Sequence, residues 1–93
     1  MNGNRSTYHK LERIVRGFSN HRRIEIINLL SRSPELSVFD IANALDVNFK
    51  TISEHVRRLA AAELVMKRSE GAAVRHRLIS TGNSILKFLR TLE

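Results

Sequence analysis

The sequence predicts a mainly α-helical domain with one small β-hairpin, in the order α-α-α-α-β-β-α. Three observations carry this. Apolar residues recur at helical spacing in four successive segments, most of them opened by a residue suited to capping a helix. Near residue 65 the pattern changes to two short β-prone runs around a glycine. A last helical stripe of apolar residues then runs from Ile85 to Leu92.

The polar opening, residues 1–9, reads as a flexible arm, and residues 10–93 as one domain. Tyr8, Leu11, Ile14, Val15 and Phe18 follow helical spacing and give a first helix over 7–18, weakened near its end by Gly17. Ser19-Asn20 offers a cap for a second helix over about 21–32, with Ile24, Ile27, Leu29 and Leu30 inward and Arg22, Arg23 and Arg32 outward. Ser33-Pro34 ends it, because the residue before proline disfavours helix. Ser37 opens a third helix and pairs with Asp40 as a capping box; Val38, Ile41, Ala42 and Leu45 form its stripe. After the break at Asp46-Val47, Asn48 caps a fourth helix whose Ile52, Val56 and Leu59 form one buried stripe. Val65–Arg68 and Val74–Leu78 read as strands around Ser69–Ala73, with Glu70-Gly71 supplying the turn. Ser80 is expected to cap the last helix, in which Gly82 and Asn83 make a weak first turn.

Two short helices joined by about three residues and followed by a hairpin form the winged helix-turn-helix plan, in which the second helix enters the major groove of DNA. Ala42 is small where those helices cross, and Val47 plugs the turn into the core. Asp46 tolerates a left-handed backbone. On the fourth helix Asn48, Phe49, Lys50, Thr51, Ser53, Glu54, His55, Arg57 and Arg58 are the candidate DNA-binding residues. Lys50 can donate to guanine, Thr51 and Ser53 can bond bases or phosphates, and Glu54 can accept from cytosine. Arg57 and Arg58 suit backbone phosphates, and His55 either anchors the helix or touches phosphate. Phe49 is either an apolar contact to a thymine methyl or a core residue closing the turn. In the hairpin Lys67, Arg68, Arg75 and Arg77 fit a basic wing lying along the DNA; charge that protects an edge strand from aggregation explains each of them equally well.

The net charge of +7 favours polyanions. The acidic stretch Glu35, Asp40, Asp46 separates two basic segments. The chain has no cysteine, which excludes disulfides and thiolate metal sites. Its four histidines lack close metal spacing, and no nucleophile–base pair or phosphate-cradling glycine loop is present. The expectation is therefore no enzyme, no metal and no cofactor. With no signal-like or membrane-spanning run, the protein is expected in the cytoplasm, associated with the nucleoid and not with a membrane.

The chain resembles the ArsR/SmtB family of winged-helix repressors. The likeness rests on Phe18–Ile24, on Asn48–Val65, and on Arg68–Gly71 leading into Val74–Leu78. The family's recognition helix reads S-x-S-T-V-S-x-H-L-x-x-L with an A-G-L-V exit. Thr51, Ile52, Ser53, His55, Val56 and Leu59 match it, and Glu63 stands where the exit glycine usually is. Metal-sensing members read E-L-C-V-C-D-L where this chain has Ser37 and Phe39, and residues 80–93 contain neither Asp nor His for the family's second metal site. The resemblance implies DNA binding without that sensing chemistry. It also implies a homodimer through the first and last helices, with Tyr8, Leu11, Val15 and Phe18 and then Ile85, Phe88, Leu89 and Leu92 at the interface. Packing of those two helices on each other within one chain is the alternative. The reading is a sequence-specific homodimeric repressor that blocks a promoter sterically and binds double-stranded DNA. Its effector is an unknown small molecule, a protein, or none. A winged-helix protein-interaction module and a nonspecific chromosome-binding protein are the competing readings.

Overall fold

A computed structural model describes residues 4–93. Its elements are α1 (Arg5–Phe18), α2 (His21–Arg32), α3 (Val38–Leu45), α4 (Phe49–Ala61), β1 (Val65–Glu70), β2 (Ala73–Leu78) and α5 (Ser80–Arg90). Helix α1 starts two residues earlier than the apolar spacing suggests. The Asn4 side chain caps it, accepting from the Thr7 amide at 3.1 Å, so residues 5–9 are helical rather than part of an arm. Residues 1–3 of that expected arm lie outside the described residues.

Local capping sets the remaining helix starts almost where the sequence puts them. Asn20 Oδ1 accepts from the Arg22 and Arg23 amides at 2.9 and 3.1 Å. Ser37 and Asp40 exchange both bonds of a capping box at 3.0 and 3.1 Å. Asn48 Oδ1 accepts from the Thr51 amide at 2.9 Å. Both helices of the helix-turn-helix end alike. After α3, Asp46 sits at φ 54° while Val47 N donates to Ala42 O and Asp46 N to Asn43 O. After α4, Glu63 sits at φ 60° while Leu64 N donates to Leu59 O and Glu63 N to Ala60 O. Each is the paired closure that ends a helix on a left-handed residue, a position that favours glycine and here holds acidic side chains. Helix α5 differs: Ile79 is its N-cap, with no side-chain bond, and Ser80 is its first helical residue.

Ile26, Ile27, Leu30, Ile41, Ile52, Val56, Leu59 and Leu64 fill the core. Helix α2 touches α4, α5 and β2, so it buries more than one stripe. Ile26 is therefore inaccessible and Ile24 only half-buried. The hairpin is longer and tighter than expected. Its register runs from Val65↔Leu78 to Glu70↔Ala73, leaving Gly71-Ala72 as a two-residue turn. Gly71 takes φ 60°, which suits glycine at the first turn position. The segment before α3 adds a bridge to β2: Glu35 N donates to His76 O and His76 N to Leu36 O, at 2.8 and 2.9 Å. The buried His76 ring completes it, with Nδ1–H donating to Leu36 O at 2.8 Å. No described helix is long and apolar enough to cross a membrane.

Gly82 explains the weak first turn of α5. It is buried, and a Cβ there would drive into the backbone carbonyl of Leu64, whose oxygen already accepts from Ile79 N. Gly82→Ala improves helix propensity yet should destabilise the protein by about 1–3 kcal/mol through overpacking. A lowered denaturant midpoint checks this; an unchanged or raised midpoint would show that α5 docks less tightly than described.

Candidate nucleic-acid interface

Helix α4 is held along one side and open along the other. Ile52, Val56 and Leu59 are inaccessible, while Phe49, Lys50, Thr51, Glu54, Arg57 and Arg58 are exposed and Ser53 is half-buried. Lys50, at the front of this face, forms no salt bridge among the described residues. Asn48 uses its side-chain oxygen on the cap. The ring of Phe49 is 55% exposed, so it does not close the turn from inside.

Glu54 is engaged within its own helix. Its carboxylate takes a two-pronged contact from Arg57, at 3.0 and 2.6 Å, and a third bond from Arg58 Nε at 3.1 Å. The Arg57 hydrogen bond is the main reason the Glu54 carboxyl is held below the usual range; the charges of Arg57 and Arg58 add to it. These exposed pairs are weak, and Glu54 Oε2, which accepts only from Arg57 Nε, keeps a lone pair for a further donor.

Arg23, expected to point outward, ties three helices together. Its Nη1 lies 3.3 Å from His55 Nδ1, its Nη2 donates to Arg16 O at 3.3 Å, and its Nε is buried without a partner. A guanidinium can only donate, so His55 Nδ1 accepts and the imidazole is neutral. Burial and the neighbouring Arg23 charge hold the His55 pKa below its ordinary value. His55 thus anchors the recognition helix to α2.

The wing's basic residues divide into two kinds. Arg68 pairs with Glu35 at 2.9 Å and Glu70 at 2.8 Å. Arg75 donates to Glu35 O at 3.1 Å and lies 3.4 Å from Glu70. Both fasten the wing to the loop before α3. Lys67 and Arg77 form no salt bridge among the described residues, and the Arg77 side chain donates to the Met66 sulfur at 3.3 Å. Sequence reasoning cannot make this division, because Glu35 lies far from both arginines along the chain.

Of the residues expected at a dimer face, Tyr8, Leu11, Val15, Phe88 and Leu92 are exposed, Leu92 by 67%. Phe18 is only 8% exposed and belongs to the chain's own core; Ile85 and Leu89 are half-buried against it. At the positions where metal-sensing relatives have cysteine, the Ser37 hydroxyl accepts from the Asp40 amide and the Phe39 ring is exposed. Neither residue offers a thiolate, so the pair does not fit a thiolate-bound metal.

Residues 20–67, half of the chain, match the family model described as bacterial regulatory protein, arsR family. The chain belongs to the ArsR family. Its fold agrees with solved structures along nearly its whole length. The homodimeric winged helix-turn-helix DNA-binding domain of a possible ArsR-family transcriptional regulator from Mycobacterium bovis is similar at 25% identity and TM-score 0.85, over 99% of this chain and 89% of that one. An ArsR-like transcriptional regulator from a Rhodococcus species is 30% identical, with TM-score 0.77, over 97% and 80%. Reduced HlyU from Vibrio cholerae is 25% identical, with TM-score 0.80, over 94% and 92%. Comparison with curated proteins gave no match. The ArsR-family chain is a winged-helix, DNA-binding transcriptional regulator.

The His55 junction makes a pH prediction. Above the ordinary imidazole value of 6.5 the ring is neutral whether folded or unfolded and contributes no pH dependence. Below it the unfolded chain takes up the proton first. Stability is therefore lost as pH falls from that value down to the lowered folded pKa. Urea unfolding should show a smaller loss between neutral and mildly acidic pH for His55→Gln than for the unchanged protein. Parallel curves would mean that the folded surroundings do not lower the His55 pKa.

Proposed function

We propose that this ArsR-family chain is a homodimeric repressor that reads an inverted repeat and blocks a promoter sterically. The observation that carries the reading is the outward face of α4. Lys50, without an ionic partner, stands beside the helix's amide-rich N-terminus, with Ser53 one turn on. Such a helix front attracts phosphate and presents donors to base edges. Lys50 donates to guanine, Thr51 and Ser53 bond bases or phosphates, and the exposed Phe49 ring meets a thymine methyl. Lys67 and Arg77 of the wing and Arg57 and Arg58 of α4 neutralise phosphates. Arg68 and Arg75 serve by holding the wing in position.

A dimer is supported by the exposed apolar stripe of Tyr8, Leu11 and Val15 on α1 and Phe88 and Leu92 on α5, and by the homodimeric state given for the Mycobacterium bovis domain. A second copy covers surface that would otherwise face water. It also sets two recognition helices about one turn of DNA, roughly 34 Å, apart. The protein acts in the cytoplasm on the nucleoid. Its release from DNA does not run through a thiolate-bound metal, because Ser37 and Phe39 offer no thiolate; a small molecule, a protein or no effector at all is left.

Two measurements test this. Lys50→Ala with Ser53→Ala should weaken binding to the preferred duplex by about 1–3 kcal/mol for each base-edge hydrogen-bonding group removed and relax its sequence preference. Unchanged affinity and preference would favour a protein-interaction role. Val15→Asp with Leu92→Asp should give a folded monomer in sedimentation analysis that binds one half-site weakly. A persistent dimer would place the interface elsewhere.

A further inference from the structure

The rear of α4 carries a feature that the recognition helix and wing do not account for. Residues 50, 54, 57 and 61 follow one another at helical spacing along the open face. The far end of this face does not run out into solvent. It becomes one wall of a groove whose other wall is α1, with Arg57 and Arg58 on one side and Arg13 and Arg16 on the other. Gly17 makes the groove possible. It is buried, and a Cβ there would strike the Ala62 side chain, so only glycine lets the end of α1 lie against the end of α4 and bring its arginines alongside.

Charge is left over in this groove. Arg16 lies 3.1 Å from Glu12, Arg13 lies 3.7 Å from Glu63, and the single carboxylate of Glu54 serves both Arg57 and Arg58. These partners are exposed glutamates, and such pairs exchange readily with solvent or with another anion. Arg23 donates to Arg16 O, and burial first, then the charge of Arg58, disfavours its charged form. Four arginines over three exposed carboxylates, one of them shared, mark a place for an anion with several oxygens, which arginine forks hold well.

We infer that Arg13 and Arg16 of α1, with Arg57 and Arg58 of α4, form a clamp for a backbone phosphate of the bound duplex, extending the DNA interface beyond the helix-turn-helix and wing. The spacing suits this. Seven residues of helix separate Lys50 from Arg57, about 10 Å at 1.5 Å per residue, and the major groove is about 12 Å wide. A helix whose front touches base edges brings the end of the same face to the phosphates that border the groove.

The inference rests on the DNA-binding reading, and its test separates the two. Binding to the preferred duplex is measured against salt concentration for the full chain, for Arg13→Gln with Arg16→Gln, and for Arg32→Gln with Lys87→Gln, which removes the same charge elsewhere. Both α1 arginines are exposed, and a thermal melt of each variant checks that it folds. The expected result is a slope of log K against log salt that becomes shallower by about 0.9 for each phosphate clamp removed. Sequence preference should be unchanged, and the control pair should keep the original slope. Equal slopes for the α1 variant and the unchanged protein would overturn the clamp while leaving the DNA reading intact. If pyrophosphate then raised the melting temperature of the unchanged protein and not of the α1 variant, the groove would hold a free anion instead. A shallower slope in the control pair as well would reduce the effect to overall charge and overturn the clamp. Failure of the unchanged protein to bind any duplex would remove both readings.

Discussion

The outward face of α4 depends on the burial of the stripe opposite it. Ile52, Val56 and Leu59 are inaccessible against the rest of the core. A helix pinned along one line cannot turn about its axis, so the residues on the other side face outward by necessity. The two left-handed closures reinforce this. Asp46 sets where α4 begins relative to α3, and Glu63 sets where it ends relative to β1. Arg23, reaching His55 from α2, adds a polar tie to the same helix. Removing any of these would not alter a DNA contact directly; it would change where the contacting side chains point.

The distribution of carboxylates decides which of the many cations are available. Among the described residues Glu35 and Glu70 occupy Arg68 and Arg75, and in doing so tie the wing to the body. Glu54 aligns Arg57 and Arg58 along the helix. On α4 and the wing, the cations left without a salt bridge among the described residues are Lys50 at the front of the helix and Lys67 and Arg77 on the hairpin. The net charge of +7 favours a polyanion, and Arg5, Lys10, Arg32, Lys87 and Arg90 elsewhere on the surface likewise form no salt bridge among the described residues.

Much of this was legible in the sequence because it is local. Asn20, Ser37 and Asn48 announce their helices by side chains that reach only two or three residues ahead, and the spacing of Ile52, Val56 and Leu59 shows which side of α4 is buried. Most of what the sequence does not show lies in contacts between distant segments. Phe18 belongs to the core and not to an outer face because α1 packs on α4 through Gly17. Gly82 reads as a weak helix start until Leu64 is found against it. The division of the wing arginines depends on Glu35, which is held beside His76 by a bridge that no periodicity foretells. The cap on Asn4 was local and readable, but it lay ahead of the first apolar residue that the helical spacing marks.

Membership of the ArsR family fits this arrangement, and Ser37 and Phe39 depart from the metal-sensing pattern by offering no thiolate where it has cysteines. The central claim is that a fixed α4, presented twice by a dimer, reads sequence. The most direct test is selection of bound duplexes from a random pool at about physiological salt, where nonspecific contacts are weakened. A dimer with two fixed recognition helices should enrich an inverted repeat whose half-sites lie about one helical turn apart. Duplexes retained without any enriched sequence would contradict it, and would leave a basic winged helix that coats DNA without reading it.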